Sequence, residues 1–362
     1  MMKIKQRTLV VMVMLLSMLF VAVACGNDDK VAEKKQNEAP QVDDTKEPAP
    51  KQEPEPDPKT PTYKNVYPLT GTGTNDPVDD RMVAVMVNNA PQARPQTGLT
   101  KADVVFEILA EGRISRFMAL FQSEKPDVVG PIRSARPYFF NLADDYGALY
   151  VYHGAAYFIQ DMLNSGAADF LNGSYYDNDK YLFKRESFRK PPHNSYLLFD
   201  AVYEVAENKG YQVKSQVQKT LPFLADDKIS SLTGDAAVEI SLNYTDTSIR
   251  YVYNSESEKY ERFNDNDQTV ELETEEPILL DNLFVLETEH QVIDDEGRRE
   301  VDLASGGKAY LFQKGKVQQV QWENVDGLIL PMKDGEPVGF VPGKTWINVI
   351  PMNPGLEGVN IQ

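Results

Sequence analysis

Cysteine is almost missing from this chain: Cys25 is the only one in 362 residues. A single thiol excludes an intramolecular disulfide, a redox thiol pair and a multi-cysteine zinc site. Histidine is nearly as scarce. None of the three, His153, His193 and His290, forms an i,i+4 pair or an HExxH pattern, so the sequence implies no metal and no cofactor. No G-x-S-x-G elbow is present to raise a serine nucleophile; Ser134 reads instead as a turn residue. The run Asn264-Asp265-Asn266-Asp267 lacks the sharp-turn glycine and closing glutamate of a calcium loop. Positive charge is also in deficit, with 37 Lys and Arg against 55 Asp and Glu and a net charge of −18. An acidic surface repels phosphate backbones, which removes nucleic acid as a partner.

The one long apolar run is at the start. Lys3, Lys5 and Arg7 precede the uncharged stretch Thr8–Ala24, the layout of a secretion signal. The stretch falls short of the roughly 20 residues of a spanning helix. Cys25 follows directly on Ala22-Val23-Ala24, with Gly26 behind it. This looks like the lipobox of bacterial lipoproteins, in which the signal (1–24) is cut before a cysteine whose sulfur carries a diacylglyceryl group. Two acyl chains anchor stably where one does not, at about 0.8 kcal/mol per buried CH₂. The expectation is a lipoprotein on the extracytoplasmic face of a cell membrane. Residues 25–61 then form a tether. From 26 to 61 there are seven prolines and no Leu, Ile, Phe, Tyr or Trp, too little apolar area to offset the entropy of ordering. Such a coil spans about 30–35 Å, or about 110 Å fully extended.

Beyond residue 61 the pattern predicts an α+β protein: a mixed α/β domain at 62–220 and an acidic, mostly antiparallel β domain at 221–362. Residues 82–89 and the pair 102–112 and 113–122 read as strands. Pro137 suits the first turn of a helix that Gly147 ends, and Asn194 or Ser195 is placed to cap another that Gly210 ends. After residue 220, short strand-like runs alternate with turn clusters. Residues 254–302 alone hold seventeen acids against four Lys and Arg.

The residues that could carry chemistry gather in the first domain. In "GPIRSARPY" (130–138), Pro137 keeps Arg136 extended, and Arg133 stands three residues earlier. Two guanidinium forks ahead of a helix suit a carboxylate or phosphate. The alternative is that both pair internally with Glu107 and Glu111, or that one is structural and one faces a ligand. Glu107 and Glu111 are expected on one face of a strand, where they could act as acid and base, with Arg113 and Arg116 nearby. His153 sits at a strand tip and His193 before a helix start, positions that carry function in mixed sheets. His290, in an acidic stretch, is expected to face solvent.

The segments "ARPQTGLTKADVVFEILAEGRISRF" (93–117), "GPIRSARPYF" (130–139), His153-Gly154 and "PPHN" (191–194) resemble the YerB-like family of lipoproteins of Bacillus-type, Gram-positive bacteria. "KAYLFQKGKVQQVQWEN" and "PGKTWINVIP" resemble its second domain. The resemblance implies two domains of unknown function behind a lipid anchor, and it brings no reaction with it. The family-motif residues are Arg94, Glu107, Glu111, Arg116, Arg133, Arg136, His153, His193 and Asn194.

Three readings follow. The first is a non-enzymatic binding or scaffolding module of the cell envelope, with an anionic wall ligand at Arg133 and Arg136 and a possible contact to cell-wall synthesis proteins. The second is a wall glycan or peptide hydrolase or lyase using Glu107 or Glu111 with His153 or His193. The third has all these residues locking an irregular domain together.

Overall fold

The run Val83-Ala84-Val85-Met86-Val87 has no polar side chain to mark a solvent side, and both of its faces are buried. That places it inside a sheet covered on both sides, as continuous apolar strands generally are. The computed structural model describes residues 62–215, 217–244 and 247–362; the expected signal, Cys25 and the tether lie outside them. The fold is α+β as the sequence implies, with helices in the first half and an almost wholly antiparallel second half.

One twelve-stranded sheet runs through both halves. From the first half it takes β1 (Val83–Asn88), β2 (Val104–Glu111), β3 (Ile114–Phe121), β4 (Leu149–Tyr152) and β5 (Phe170–Asn172). The order across that part is β2-β3-β1-β4-β5. β1, β4 and β5 run parallel, and β3 runs against both of its neighbours. The second half joins through Thr345–Pro351, which pairs in parallel with β2 from Val104↔Thr345 to Ile108↔Val349. Beyond it, Asn282–Thr288, Gly307–Gln313, Lys316–Val325 and Leu328–Lys333 continue the sheet in order.

The helices α1 (Pro137–Asp145) and α2 (Tyr157–Asn164) cover one face, over Ala84, Met86, Phe106, Ile108, Met118 and Leu120. A second sheet covers part of the other face. It comprises Glu239–Tyr244, Thr247–Asn254 and Lys259–Asn264 with shorter partners. Its Tyr244, Tyr251 and Tyr260 pack with Val105, Leu109, Phe117 and Trp346.

The helix expected after Asn194 or Ser195 begins later. Ser195–Leu198 is a strand held between Val128–Val129 and Phe183–Arg185, and the helix proper covers Val202–Asn208. The apolar run Tyr196-Leu197-Leu198 pairs with Phe183–Arg185 just upstream and with the distant Val128–Val129, and that pairing overrides the local capping signal. α1 starts at Pro137 and Gly147 follows it at φ 68°, both as expected.

The two sheets meet at Glu107. Its side chain is fully buried. One carboxylate oxygen accepts from Ser115 Oγ at 2.8 Å and Asn89 Nδ2 at 3.2 Å. The other accepts from Arg262 Nη2 at 2.9 Å, Trp346 Nε1 at 3.1 Å and Asn348 Nδ2 at 3.2 Å. Arg262, equally buried, also donates to Thr269 Oγ1 at 2.8 Å and lies over the rings of Phe117 and Trp346. Burial alone would depress the Arg262 guanidinium, but the Glu107 carboxylate outweighs it and raises its pKa. Removing one partner strands the other charge in the core. Arg262→Ala should therefore destabilise the protein by about 3–5 kcal/mol, read as a lowered urea midpoint; a loss below about 1 kcal/mol would show the pair to be dispensable.

Candidate functional site

Because β1, β4 and β5 are parallel, their carboxyl ends come to one edge of the sheet, the place where open α/β sheets bind ligands. Those ends are Asn88, Tyr152-His153-Gly154 and Asn172-Gly173-Ser174. The antiparallel β2–β3 hairpin adds Glu111 and Arg116 to the same edge, Arg116 lying opposite Asn88.

The stretch 130–136 crosses directly over these strand ends, bonded at nearly every residue. Asn88 N donates to Pro131 O at 2.8 Å, Ile132 N to Ser195 O at 2.7 Å and Arg133 N to Met86 O at 2.9 Å. His153 N donates to Arg133 O and Ala135 N to Gly154 O, both at 3.0 Å. The prolines and the absence of bulk at Gly130 suit this course. A Cβ on Gly130 would lie 2.6 Å from the Tyr196 ring.

The two arginines of this stretch have different fates. Arg136 is 5% exposed and donates to Glu111 Oε2 and Ala135 O, both at 2.5 Å. Arg116 donates to the other Glu111 oxygen and to Ser134 O at 2.9 Å. Burial would raise the Glu111 carboxyl, yet Arg116 and Arg136, with Arg133 further off, together hold it below its ordinary value. Arg133 is half-buried and makes no side-chain hydrogen bond or ion pair among the described residues. Its charge is felt at Glu111, His153 and His193.

The histidines have definable tautomers. Arg185 Nη2 lies 3.3 Å from His153 Nε2, and a guanidinium can only donate. The His153 proton is therefore on Nδ1, which donates to Ser195 Oγ at 2.7 Å. Burial and then Arg185 push the His153 pKa down. His153 is thus a neutral donor to Ser195 and not a base that activates it. Arg185 itself is fixed by Asp177 at 2.7 Å and by Asn194 Oδ1 at 2.8 Å. Asn88 Oδ1 accepts from Ala90 N at 3.0 Å, so its amide donates to His193 Nδ1 at 2.8 Å. The remaining His193 proton is on Nε2. Burial, then Arg133 and Arg189, lowers the His193 pKa.

Not all the residues singled out by sequence come together. Glu107 faces the second sheet and Glu111 the α1 side, because the β2–β3 register shifts between Leu109 and Glu111. This β-bulge breaks the alternation that would have placed both carboxylates on one face. With one sealed in the core and one locked by two arginines, the two do not form an acid/base pair. Arg94 groups with Glu107 and Arg262, its Nε donating to Asn89 O at 3.1 Å. His290 is not the solvent-facing residue expected of an acidic stretch. Both ring nitrogens are buried without partners, and burial with Arg299 nearby drives its pKa down to about 3. Arg185, Asn88, Asn172, Ser174 and Ser195 enter the site unannounced, since each is supplied by an element remote in sequence. Two cavities of about 280 and 650 Å³ meet at the Asn353–Pro354 loop, and neither is lined by any of these arginines or histidines.

Comparison with known proteins places the chain. Residues 69–212 match the N-terminal domain, and 238–347 the C-terminal domain, of a protein family of unknown function, DUF3048. The chain is 46% identical over 285 residues to a Bacillus subtilis (strain 168) protein named "Putative lipoprotein YerB", covering 78% of this chain and 86% of that one. A crystal structure of the YerB protein from Bacillus subtilis superposes with a TM-score of 0.75 at 43% identity, covering 83% of this chain and all of that one. The chain belongs to this family.

Glu111 gives the site a pH signature. A carboxyl held down in the folded state contributes stability that is complete above its unfolded value, near 4.5, and is lost as pH falls through the folded value. The stability gap between wild type and Glu111→Gln should be constant above about pH 5.5 and close progressively below pH 4.5. Urea midpoints from pH 7 to 3 measure it; a gap independent of pH would mean Glu111 is not ion-paired in solution.

Proposed function

We propose that this protein is a lipid-anchored, extracytoplasmic binding module of the cell envelope that holds an anionic group at Arg133. Three observations support the anchor: the Ala22-Val23-Ala24-Cys25 sequence, the proline-rich tether behind it, and a relative named as a lipoprotein. Acylated Cys25 would keep the folded part at the membrane while the tether lets it reach outward.

The single observation that carries the binding role is the contrast between Arg136 and Arg133. Arg136 is spent on Glu111, whereas Arg133, four residues after the strand Val128–Val129, keeps its fork unpaired. A guanidinium partly out of water and without a carboxylate gains charge-assisted hydrogen bonds when an anion completes it. His193 Nε2–H and the hydroxyls of Ser134 and Ser174 are further donors around the same strand ends. Arg116, Arg136 and Glu111 hold the loop, and Asn194 and Arg185 hold His153, so they position the site. A carboxylate or a phosphate of the envelope suits this donor set.

The test uses the full chain in detergent, unfolded thermally with inorganic phosphate, citrate, acetate and wall-derived peptides. A ligand at a hundred times its dissociation constant should stabilise by about 2.7 kcal/mol. Arg133→Ala should fold with an unchanged midpoint in the absence of ligand and lose the ligand-induced shift. An Arg133→Ala variant that unfolds outright, or that keeps the shift, would assign Arg133 to the scaffold or to no role.

A further inference from the structure

Around the Arg133 loop the exposed side chains are aromatic to an unusual degree. Tyr157 is 81% exposed and Tyr175 59%, both among the largest exposed apolar side chains of the described residues. Tyr157 opens α2, three residues beyond Gly154, and Tyr175 directly follows Ser174, so both rings branch from backbone within ~11 Å of Gly154. Ser174 Oγ and Ser134 Oγ lie 3.7 and 3.9 Å from where a Gly154 Cβ would stand. Gly154 has φ 80°, a conformation that suits glycine, and its bare Cα leaves the space between the hydroxyls open. Phe158, beside Tyr157, lies 5.7 Å from the Arg298 guanidinium, and the Arg298 backbone forms an isolated antiparallel β-bridge with that of Glu111. The first turn of α2 therefore flanks the arginine cluster.

The backbone at this edge offers little to a peptide. Residues 131–135, 153–154 and 173 have already exchanged their hydrogen bonds with one another and with Met86, Asn88, Tyr152, Asn172 and Ser195. No run of free N–H and C=O groups there invites an added strand. What stays unspent is a guanidinium, two hydroxyls, an imidazole N–H and two exposed phenol rings. Recognition by side chains alone, with flat amphipathic rings beside hydroxyls and one cation, fits a polyhydroxylated ring that carries a negative charge.

Building on the anion site proposed above, we infer that its ligand is an anionic saccharide: the phosphate or carboxylate sits on Arg133 while a sugar ring packs against Tyr157 or Tyr175 and bonds to Ser134 and Ser174. The two sources of the charge, a phosphorylated sugar and a sugar acid, share this chemistry and are separated by the probes.

Calorimetric titration of the full chain in detergent tests it, with glucose 6-phosphate against inorganic phosphate and glucuronate against acetate. At least one sugar-borne anion should bind about ten-fold more tightly than its bare counterpart. The double substitution Tyr157→Ala/Tyr175→Ala, on exposed positions that should leave folding intact, should bring that ratio close to one without changing affinity for the bare anion. Arg133→Ala should weaken both. A ratio near one in the wild type, or a ratio that survives the double substitution, overturns the saccharide inference while leaving the anion site standing. Equal binding by wild type and Arg133→Ala overturns the anion site itself.

Discussion

The buried carboxylate of Glu107 is the constraint on which the rest of the architecture turns. A charge with no solvent contact must be met on every side, and Glu107 collects its five donors from four separate regions of the chain. Ser115 and Asn89 come from neighbouring strands of the large sheet, Trp346 and Asn348 from the strand that the second half inserts beside it, and Arg262 from the second sheet. The pairing of β2 with Thr345–Pro351 and the docking of the second sheet are thereby tied to one another, and each matched family domain supplies part of the shell.

That closure sets the register of β2, and the register sets the site. With Glu107 turned inward, regular alternation would turn Glu111 inward too. The bulge between Leu109 and Glu111 adds one residue and sends Glu111 to the other face, where Arg116 and Arg136 receive it. One motif, Glu-x-x-x-Glu, thus does two unrelated jobs. The first glutamate joins the halves of the fold; the second anchors a loop across the parallel strand ends. Arg133 is left unpaired at that edge because Glu111, the carboxylate whose charge it feels, already has two guanidinium partners.

The same edge explains why the histidines are quiet. Positive neighbours and burial keep both His153 and His193 neutral, so they serve as hydrogen-bond donors of fixed tautomer. That neutral donor set, gathered around one unpaired guanidinium, is what the anion-binding proposal rests on. Exposed tyrosines beside it extend the surface that a ligand would meet.

By itself the sequence determined what depends on neighbours along the chain. The strands at 82–89 and 102–122, the start of α1 at Pro137, its end near Gly147 and the alternating runs of the second half follow from periodicity, proline and glycine. The family and the cluster of motif residues were equally legible. Tertiary structure alone decided the rest. Ser195–Leu198 became a strand because Phe183–Arg185 and the distant Val128–Val129 were there to pair with it. A one-residue bulge, invisible to a period-two pattern, put Glu107 and Glu111 on opposite faces. His290 was drawn inward from an acidic segment by the packing of its hairpin. Most of all, which arginine would be spent and which left free depended on where a single carboxylate arrived in space. A charge pairs with what lies within a few ångströms of it, and along a folded chain that distance bears no relation to separation in sequence.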